Sequence, residues 1–323
     1  MNLCRRKVST LLAVVLLSGV ANAQSPHSWP QRSVKFVTPV PPGGSPDLVA
    51  RLYASRLAET WGVPVIVENR PGGDGAIAVR AVQGSDDGHT LLVAPSGMLT
   101  ILSAVRGGSV NLDDLAPVTK AATDYLAITV PASSPHNSLN DLLQDARLKP
   151  GSMNWFAPAG LPAIVFRELL RSKDVNAVFV PYKGGPDALR DLSEARIQAV
   201  LVPLATVLPL ASSGKVRLIA LSNAQRFPGA ANVPTFAESN YGELEFEGVI
   251  GFLAPKALPE AVRQKIASDV RNVAAKPDIS QSLLNMGQAA AVSSAEEFGK
   301  FLQIQSGKWG AIARQQNMAA DNR

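Results

Sequence analysis

The feature that most constrains this chain is an alternation of short apolar runs with amphipathic stretches, which begins almost at once. Residues 34–40 form an apolar-rich run ending in Pro41-Pro42-Gly43-Gly44, and Ser45-Pro46-Asp47 then opens a helix. Ser45 is a good N-cap, and Pro46 suits the first helical position. Leu48, Val49, Leu52, Tyr53, Leu57 and Trp61 fall at helical spacing, and Gly62 ends the helix. Residues 63–67 read as the next strand, 69–75 as a turn and 91–94 as a third strand. Such a strand–helix rhythm predicts an α/β fold: a mostly parallel sheet covered by helices.

The rhythm starts again further along. Strands are predicted at residues 127–130, 177–181, 197–202 and 216–221, with helices at 138–147 and from Pro186, and Gly214 ends the helix before the last of these strands. Thr235 and Glu238 have capping-box spacing, and residues 249–254 read as a strand. The tail is helical over 259–275 and 294–315, with Ser294 and Glu297 forming a second capping box. No low-complexity linker separates the two blocks. They are expected to be two lobes joined by ordered crossings, residues 24–121 with 249–323 in one lobe and 122–248 in the other.

The start of the chain is of a different kind. Arg5, Arg6 and Lys7 precede an apolar run at residues 11–17, and small residues lead to Ala21-Asn22-Ala23 before Gln24. A basic head, a short apolar core and an A-x-A site predict a signal peptide over residues 1–23 and export of the rest. The apolar run is too short to span a membrane, which takes about 20 residues. Cys4, the only cysteine, leaves with the leader, so no disulfide or thiolate ligand is expected. Loss of the three leader cations lowers the formal charge from +5 to +2. No basic run remains to suggest a nucleic-acid partner.

Two corners carry the functional signal. Val40-Pro41-Pro42-Gly43-Gly44-Ser45-Pro46-Asp47 and Val180-Pro181-Tyr182-Lys183-Gly184-Gly185-Pro186-Asp187 both run from a strand, through Gly-Gly, into a helix with Pro and Asp in its first turn. Glycine lets the backbone approach a guest, and the free N–H groups of a first helical turn make an anion seat. Ligand crevices of α/β sheets lie at the carboxyl ends of the strands, where both corners are expected. The same residues would also serve plain tight turns and caps, but a matched pair favours a small carboxylate held between the two blocks.

At these corners the chain resembles a known family. Pro42-Gly43-Gly44-Ser45-Pro46-Asp47 with Ala50-Arg51, Val67-Glu68-Asn69-Arg70-Pro71-Gly72-Gly73-Asp74-Gly75 and Asp87-Gly88-His89-Thr90-Leu91-Leu92 are similar to the Bug-type receptors of tripartite tricarboxylate transporters. The likeness continues through Val180-Pro181-Tyr182-Lys183-Gly184, Gly214-Lys215-Val216-Arg217, Asn232-Val233-Pro234-Thr235-Phe236-Ala237-Glu238 and Gly251-Phe252-Leu253-Ala254-Pro255. The resemblance implies a two-lobed type II periplasmic binding protein that closes on a small organic acid in the cleft between its lobes. It also implies a monomer without cofactor or metal that serves membrane transporter subunits. A second reading is a sensory protein that presents its loaded form to a membrane signalling receptor. Ligand contacts implied by the resemblance are Pro42, Gly43, Gly44, Ser45 and Asp47 at the first corner and Tyr182, Lys183 and Gly184 at the second. Ser96 and Met98, in the loop after the third strand, join them. Closure would turn on residues 123–126 and 247–250.

One stretch departs from the family pattern. Where a Ser- and Gly-rich turn and a histidine are usual, the chain reads Trp155-Phe156-Ala157-Pro158-Ala159-Gly160-Leu161-Pro162-Ala163-Ile164. Either Ala157 and Gly160 line the cleft and favour an apolar part of the ligand, or this is a solvent-facing loop that has drifted. Enzyme motifs are missing: there is no G-x-S-x-G, no P-loop and no H-E-x-x-H. The acid–base inventory is limited to His27, His89 and His136, so the chain is read as a binding protein and not an enzyme.

Overall fold

The apolar runs form strands because the fold covers both faces of its sheets, so neighbouring residues on a strand enter different cores. The computed structural model describes residues 29–105, 112–182 and 184–316. The predicted leader, His27 and Lys183 lie outside the described residues. In chain order the first half gives β1 (Val34–Thr38), α1 (Ser45–Trp61), β2 (Val65–Asn69), α2 (Ala76–Gln83), β3 (Thr90–Pro95), α3 (Ser96–Val105) and β4 (Leu115–Asp124). There follow β5 (Leu126–Pro131), α4 (Leu139–Leu148), β6 (Asn154–Phe156), α5 (Leu161–Ser172), β7 (Val178–Phe179), α6 (Gly185–Ser193), β8 (Ala199–Pro203), α7 (Leu204–Ser212) and β9 (Val216–Leu221). The chain ends with β10 (Gly248–Pro255), α8 (Glu260–Ala274), α9 (Pro277–Asn285), β11 (Gln288–Ala290) and α10 (Ala295–Gln315).

The strands build two sheets of one topology. The first runs β11-β4-β10-β3-β1-β2 and the second β7-β6-β8-β5-β9. β1 lies between β2 and β3 and is parallel to both, while β10 is antiparallel to β3 and β4. β6 lies in the same way between β7 and β8, with β5 antiparallel to β8 and β9. Read from β2 and from β7, the two sheets therefore match over five strands, and β11 is an addition at the far edge of the first. Their exchange shows in β10, which completes the first sheet only after the chain has built the second. Tyr125 alone separates β4 from β5.

Each sheet carries a core on both faces. Phe36 packs with Tyr53, Phe252 and Ile266 on one face of the first sheet, while its neighbour Val37 joins Val79, Leu92 and Phe298 on the other. In the second sheet Trp155, Phe166 and Leu201 share one core, and the adjacent Phe156 and Val200 share the opposite one with Leu192. α10 straps the two together. Phe298 near its start closes on Gly251, whereas Trp309 and Ala313 near its end are buried in the second-sheet core. Lys308 Nζ donates to the Glu245 carbonyl at 2.9 Å and Gln316 Nε2 to the Ile164 carbonyl at 3.3 Å, fixing the far end of the strap.

Several local expectations change on contact with the structure. Gly62, left-handed at φ 68°, ends α1, and Ser294 with Glu297 caps α10. Ser45 is not the N-cap of α1: Gly44 holds that position in extended backbone, Ser45 is the first helical residue and Pro46 the second. Thr235 and Glu238 do exchange their two bonds, at 2.8 and 3.2 Å, but they close a turn and not a helix. The strand predicted over 177–181 shrinks to Val178–Phe179 at the sheet edge. Trp309 is completely buried, so Trp309→Ala should cost about 3–5 kcal/mol in a denaturant titration.

Candidate functional site

The first corner is held by one carboxylate. Asp47 stands in the first turn of α1, where the helix dipole favours an anion. Its Oδ2 accepts from the Gly43 N–H at 2.9 Å and from Arg51 Nε at 3.0 Å, and its Oδ1 from Asn69 Nδ2 at 2.8 Å. Burial pushes this carboxyl up, but the bonds from Arg51, the Gly43 amide and Asn69 outweigh it and hold the group below its ordinary 3.8. Asn69 also donates to the Val40 carbonyl at 3.0 Å, which ties the end of β2 to the corner. Asp47 is thus spent on shaping the turn.

The open donors sit one step further in. Gly43, at φ 84°, gives its N–H to Asp47, and Gly44 gives its own to the Pro41 carbonyl at 3.1 Å. Among the described residues no hydrogen bond is made by the N–H of Ser45 or of Asp47, the two donors that Pro46 leaves in the first turn. Gly44 is needed for packing: a Cβ there would meet Val40 Cγ2 at 2.9 Å and the Pro41 carbonyl at 3.2 Å. Pro42 and Gly43 are exposed at the rim, whereas Ser45 and Asp47 are buried.

The second corner repeats this framework with different ties. Gly184 is the N-cap of α6, Gly185 and Pro186 follow, and Asp187 takes the place of Asp47. Asp187, however, is exposed and pairs with Arg190 at 3.3 Å. Tyr182 does the fixing instead, its hydroxyl donating to Asp191 Oδ2 at 2.8 Å and its ring packing edge-on to Phe156 with centroids 5.3 Å apart. Burial, and the Asp191 carboxylate after it, push the Tyr182 phenol up to about 12. Among the described residues no hydrogen bond or ion pair joins 42–47 to Tyr182 or Gly184.

Topology pairs the first corner with another loop. Ligand crevices lie where the chain reverses its direction of travel across a parallel sheet. In the first sheet that point is between β1 and β3, and in the second between β6 and β8. The turn that corresponds to 42–47 in the second sheet is the one after β6, containing Ala157 and Gly160, while the second corner follows the edge strand β7. Gly160, at φ 101°, is the N-cap of α5, with Pro162 in its first turn just as Pro46 is in α1.

This apolar turn meets the other lobe directly. A Cβ on Gly97 of α3 would lie 3.0 Å from Leu161 Cδ2 and 3.3 Å from Phe246 Cζ, and one on Gly160 3.7 Å from Ile101. Ala157, Leu161 and Ile164 are buried. Ser96, the first residue of α3 where a loop was expected, is also buried and accepts from the Val249 N–H at 3.2 Å. Met98 rests on the turn before α2, where its sulfur fills the place a Gly75 Cβ would take.

Other groups serve the scaffold. His89 Nε2 accepts from the Gln31 N–H at 3.2 Å, and His136 sits between Ser134 and Asp145. No cluster of His, Cys, Asp or Glu able to hold a metal exists among the described residues. A cavity of about 300 Å³ opens between the far half of α5 and β7, lined by Trp155, Arg167, Leu170 and Phe179, away from the helix starts.

Comparison with known proteins decides the family. The model of the tripartite tricarboxylate transporter family receptor matches residues 49–318. The chain belongs to this receptor family. A UPF0065 protein from the tcbD-tcbE intergenic region of Pseudomonas sp. (strain P51) is 30% identical to the receptor, over 95% of this chain and 93% of its own. A solved periplasmic transporter superposes with a TM-score of 0.83 at 27% identity, covering 90% of this chain and 99% of that one. The R. palustris protein Rpa4515, solved with adipate, gives 0.81 at 27% identity over 88% and 97%. The superpositions bear out the two-lobed periplasmic binding-protein fold, and the family is one of receptors.

Asp47 offers a direct check on the corner of this receptor. Asp47→Asn should lose about 1.5–3 kcal/mol of stability at neutral pH, since it weakens charge-assisted bonds in a buried turn. Because the folded carboxyl lies below its ordinary value, its contribution is present above that value and is lost as pH falls through the folded one. The gap between variant and parent in urea titrations should therefore close below about pH 4.

Proposed function

We propose that the receptor is exported to the periplasm by its first 23 residues, captures a small organic acid between its lobes and delivers it to the membrane subunits of a tripartite transporter. The observation that carries this reading is the pair of matched helix starts, α1 and α5, at the switch points of two sheets of one topology. At α1 the Ser45 and Asp47 amides are open donors, suited to a carboxylate. The adipate in Rpa4515 supports the same ligand class. The lobes of this reading are residues 24–121 with 249–323, and 122–248, and the hinge is 123–126 with 247–250. Pro42, Gly43 and Gly44 form the rim on one side and Tyr182 and Gly184 on the other.

Selectivity follows from α5. No hydroxyl or imidazole stands at its start; Leu161, Ala163 and Ile164 are apolar and buried. A carboxylate placed there finds only backbone donors, and burial without partners costs several kcal/mol. The preferred ligand therefore has one strongly bound anionic end and a largely apolar body.

Calorimetry and thermal shift against aromatic monocarboxylates, short-chain acids, adipate and citrate test both claims. Stabilisation by at least one acid is expected. No response to any of them would remove the carboxylate reading, and citrate as the tightest ligand would remove only the selectivity argument. Gly97→Ala tests closure separately, since the added methyl must push Leu161 away across the lobe contact. The variant should lower the melting temperature of the ligand-free protein and weaken its response to the tightest acid, and an unchanged response would argue that closure does not use this contact.

A further inference from the structure

A buried chain of three polar side chains lies beneath the first corner. Asp124 ends β4, where the backbone leaves the first sheet. Its Oδ1 accepts from Ser45 Oγ at 2.5 Å, and Ser45 Oγ accepts in turn from Gln288 Nε2 of β11 at 2.6 Å. Asn223, on the segment returning from the second sheet, donates Nδ2 to the Asp124 carbonyl at 3.5 Å. The Gln288 amide oxygen is buried without a partner. As placed, the bonds run from amide to hydroxyl to carboxylate, the direction an ionised Asp124 requires.

The chain can equally run the other way. A neutral Asp124 would donate to Ser45 Oγ, and the Ser45 proton would turn to the Gln288 oxygen once that amide rotates. Each direction leaves one group of the Gln288 amide unpartnered. The placed one adds only a long contact of 3.5 Å from Gln288 Nε2 to Asp124 Oδ1, so hydrogen bonding discriminates weakly and charge decides. Burial pushes the Asp124 carboxyl up to about 6, against the pull of the bonds from Ser45 and Gln288.

No cation answers Asp124 among the described residues. On α1, Asp47 is paired with Arg51, and the Tyr53 hydroxyl donates to the Ala121 carbonyl at 2.8 Å, its phenol raised by burial. On β4, Lys120 faces Glu247, which leads into β10, at 3.8 Å. Tyr125, the next residue, has its phenol raised by burial and by Glu247. β11, α7 and the segment at Ser222 and Asn223 carry no ionisable side chain.

Ser45 links this group to the ligand. Its N–H is one of the two open donors at the start of α1, and its hydroxyl holds Asp124. An anion on that amide and a charge on Asp124 would stand one residue apart in a water-poor site, where like charges repel strongly. We propose that Ser45, Asp124 and Gln288 form a proton-linked gate: neutral Asp124 admits an anion to the first corner and ionised Asp124 opposes it. This rests on the reading of that corner as an anion seat. By linkage, ligand binding then draws a proton onto the protein, and protonation strengthens binding equally.

The ligand-free protein supplies the first test. The folded carboxyl lies above its ordinary value, so its contribution to stability is full below that value and is lost as pH rises through about 6. Between pH 5 and 7.5 the parent should lose melting temperature relative to Asp124→Asn; parallel curves overturn the gate. Carbon NMR of the parent, which needs no variant, should show a side-chain carboxyl titrating near pH 6, and no carboxyl titrating above pH 5 overturns it too. Calorimetry with benzoate and with adipate, both anionic from pH 6 to 8, gives the link to the seat. The parent should bind about fivefold or more tightly at the lower pH with proton uptake, and Asp124→Asn equally at both. Equal affinity in the parent overturns the link. No binding of any of the acids named above at either pH would instead remove the carboxylate seat, while a titrating Asp124 would survive that result.

Discussion

The two lobes hang from one close approach of backbones. Gly248 opens β10 opposite Asp124, the last residue of β4, and a Cβ at 248 would lie 2.0 Å from the Asp124 carbonyl oxygen. No side chain can occupy that space, and no neighbouring rotamer can clear it, because the obstacle is main chain. The ladder between β4 and β10 can therefore run to the very end of the first sheet, with Tyr125 alone carrying the chain into the second. Both crossings leave from adjacent strand ends as a result. The carboxyl ends of β1 and β3 are thereby brought into range of those of β6 and β8, which a longer or looser crossing would not ensure.

What the sequence revealed, and what it hid, follows from the range of the forces involved. α1, α8 and α10 are long and periodic, and their ends are local chemistry: a left-handed glycine at 62 and a serine–glutamate exchange at 294 and 297. β6 and β11, of three residues each, are strands only because neighbours pair with them, and neither was predicted. β4 was missed as well, because Thr119, Lys120 and Thr123 break its apolar run. Ser45 failed as a cap for a long-range reason. Asp47 already takes the Gly43 amide, and Asp124, 79 residues away, claims the hydroxyl. A single acid closing an otherwise apolar and threonine-rich strand was the one sign in the sequence that something polar lay there.

Motif and topology also ranked the corners differently. Gly-x-Pro-Asp occurs twice, at 44–47 and 184–187, because two helices start alike, and their cap positions do correspond residue for residue. Likeness of caps, however, says nothing about place in a sheet. α6 follows an edge strand, whereas α5, whose start is Gly160-Leu161-Pro162-Ala163, occupies the position in the second sheet that α1 occupies in the first. The N-cap glycine and Pro in the first turn are all that α5 retains of the pattern. Backbone donors at a helix start do not depend on side-chain identity, so the sequence can lose every polar residue there without losing the dipole.

The lobes meet in two ways that have opposite physical character, and the difference governs what a ligand must supply. At Gly97, Leu161 and Phe246 the contact is apolar and undirected. Fully burying a leucine is worth about 1.5–3 kcal/mol, so this contact favours touching lobes before any ligand arrives and relieves the ligand of part of that work. At Ser45, Asp124, Gln288 and Asn223 the contact is polar, directional and incompletely satisfied, since one amide oxygen stays without a partner. A dry contact tolerates small slips between the lobes, but a crossing in which Tyr125 alone separates β4 from β5 does not. Register between the lobes is therefore set at the crossing, and the depth of closure at the apolar turn. In the function proposed above, the ligand's charge would act on the first of these and its apolar body on the second.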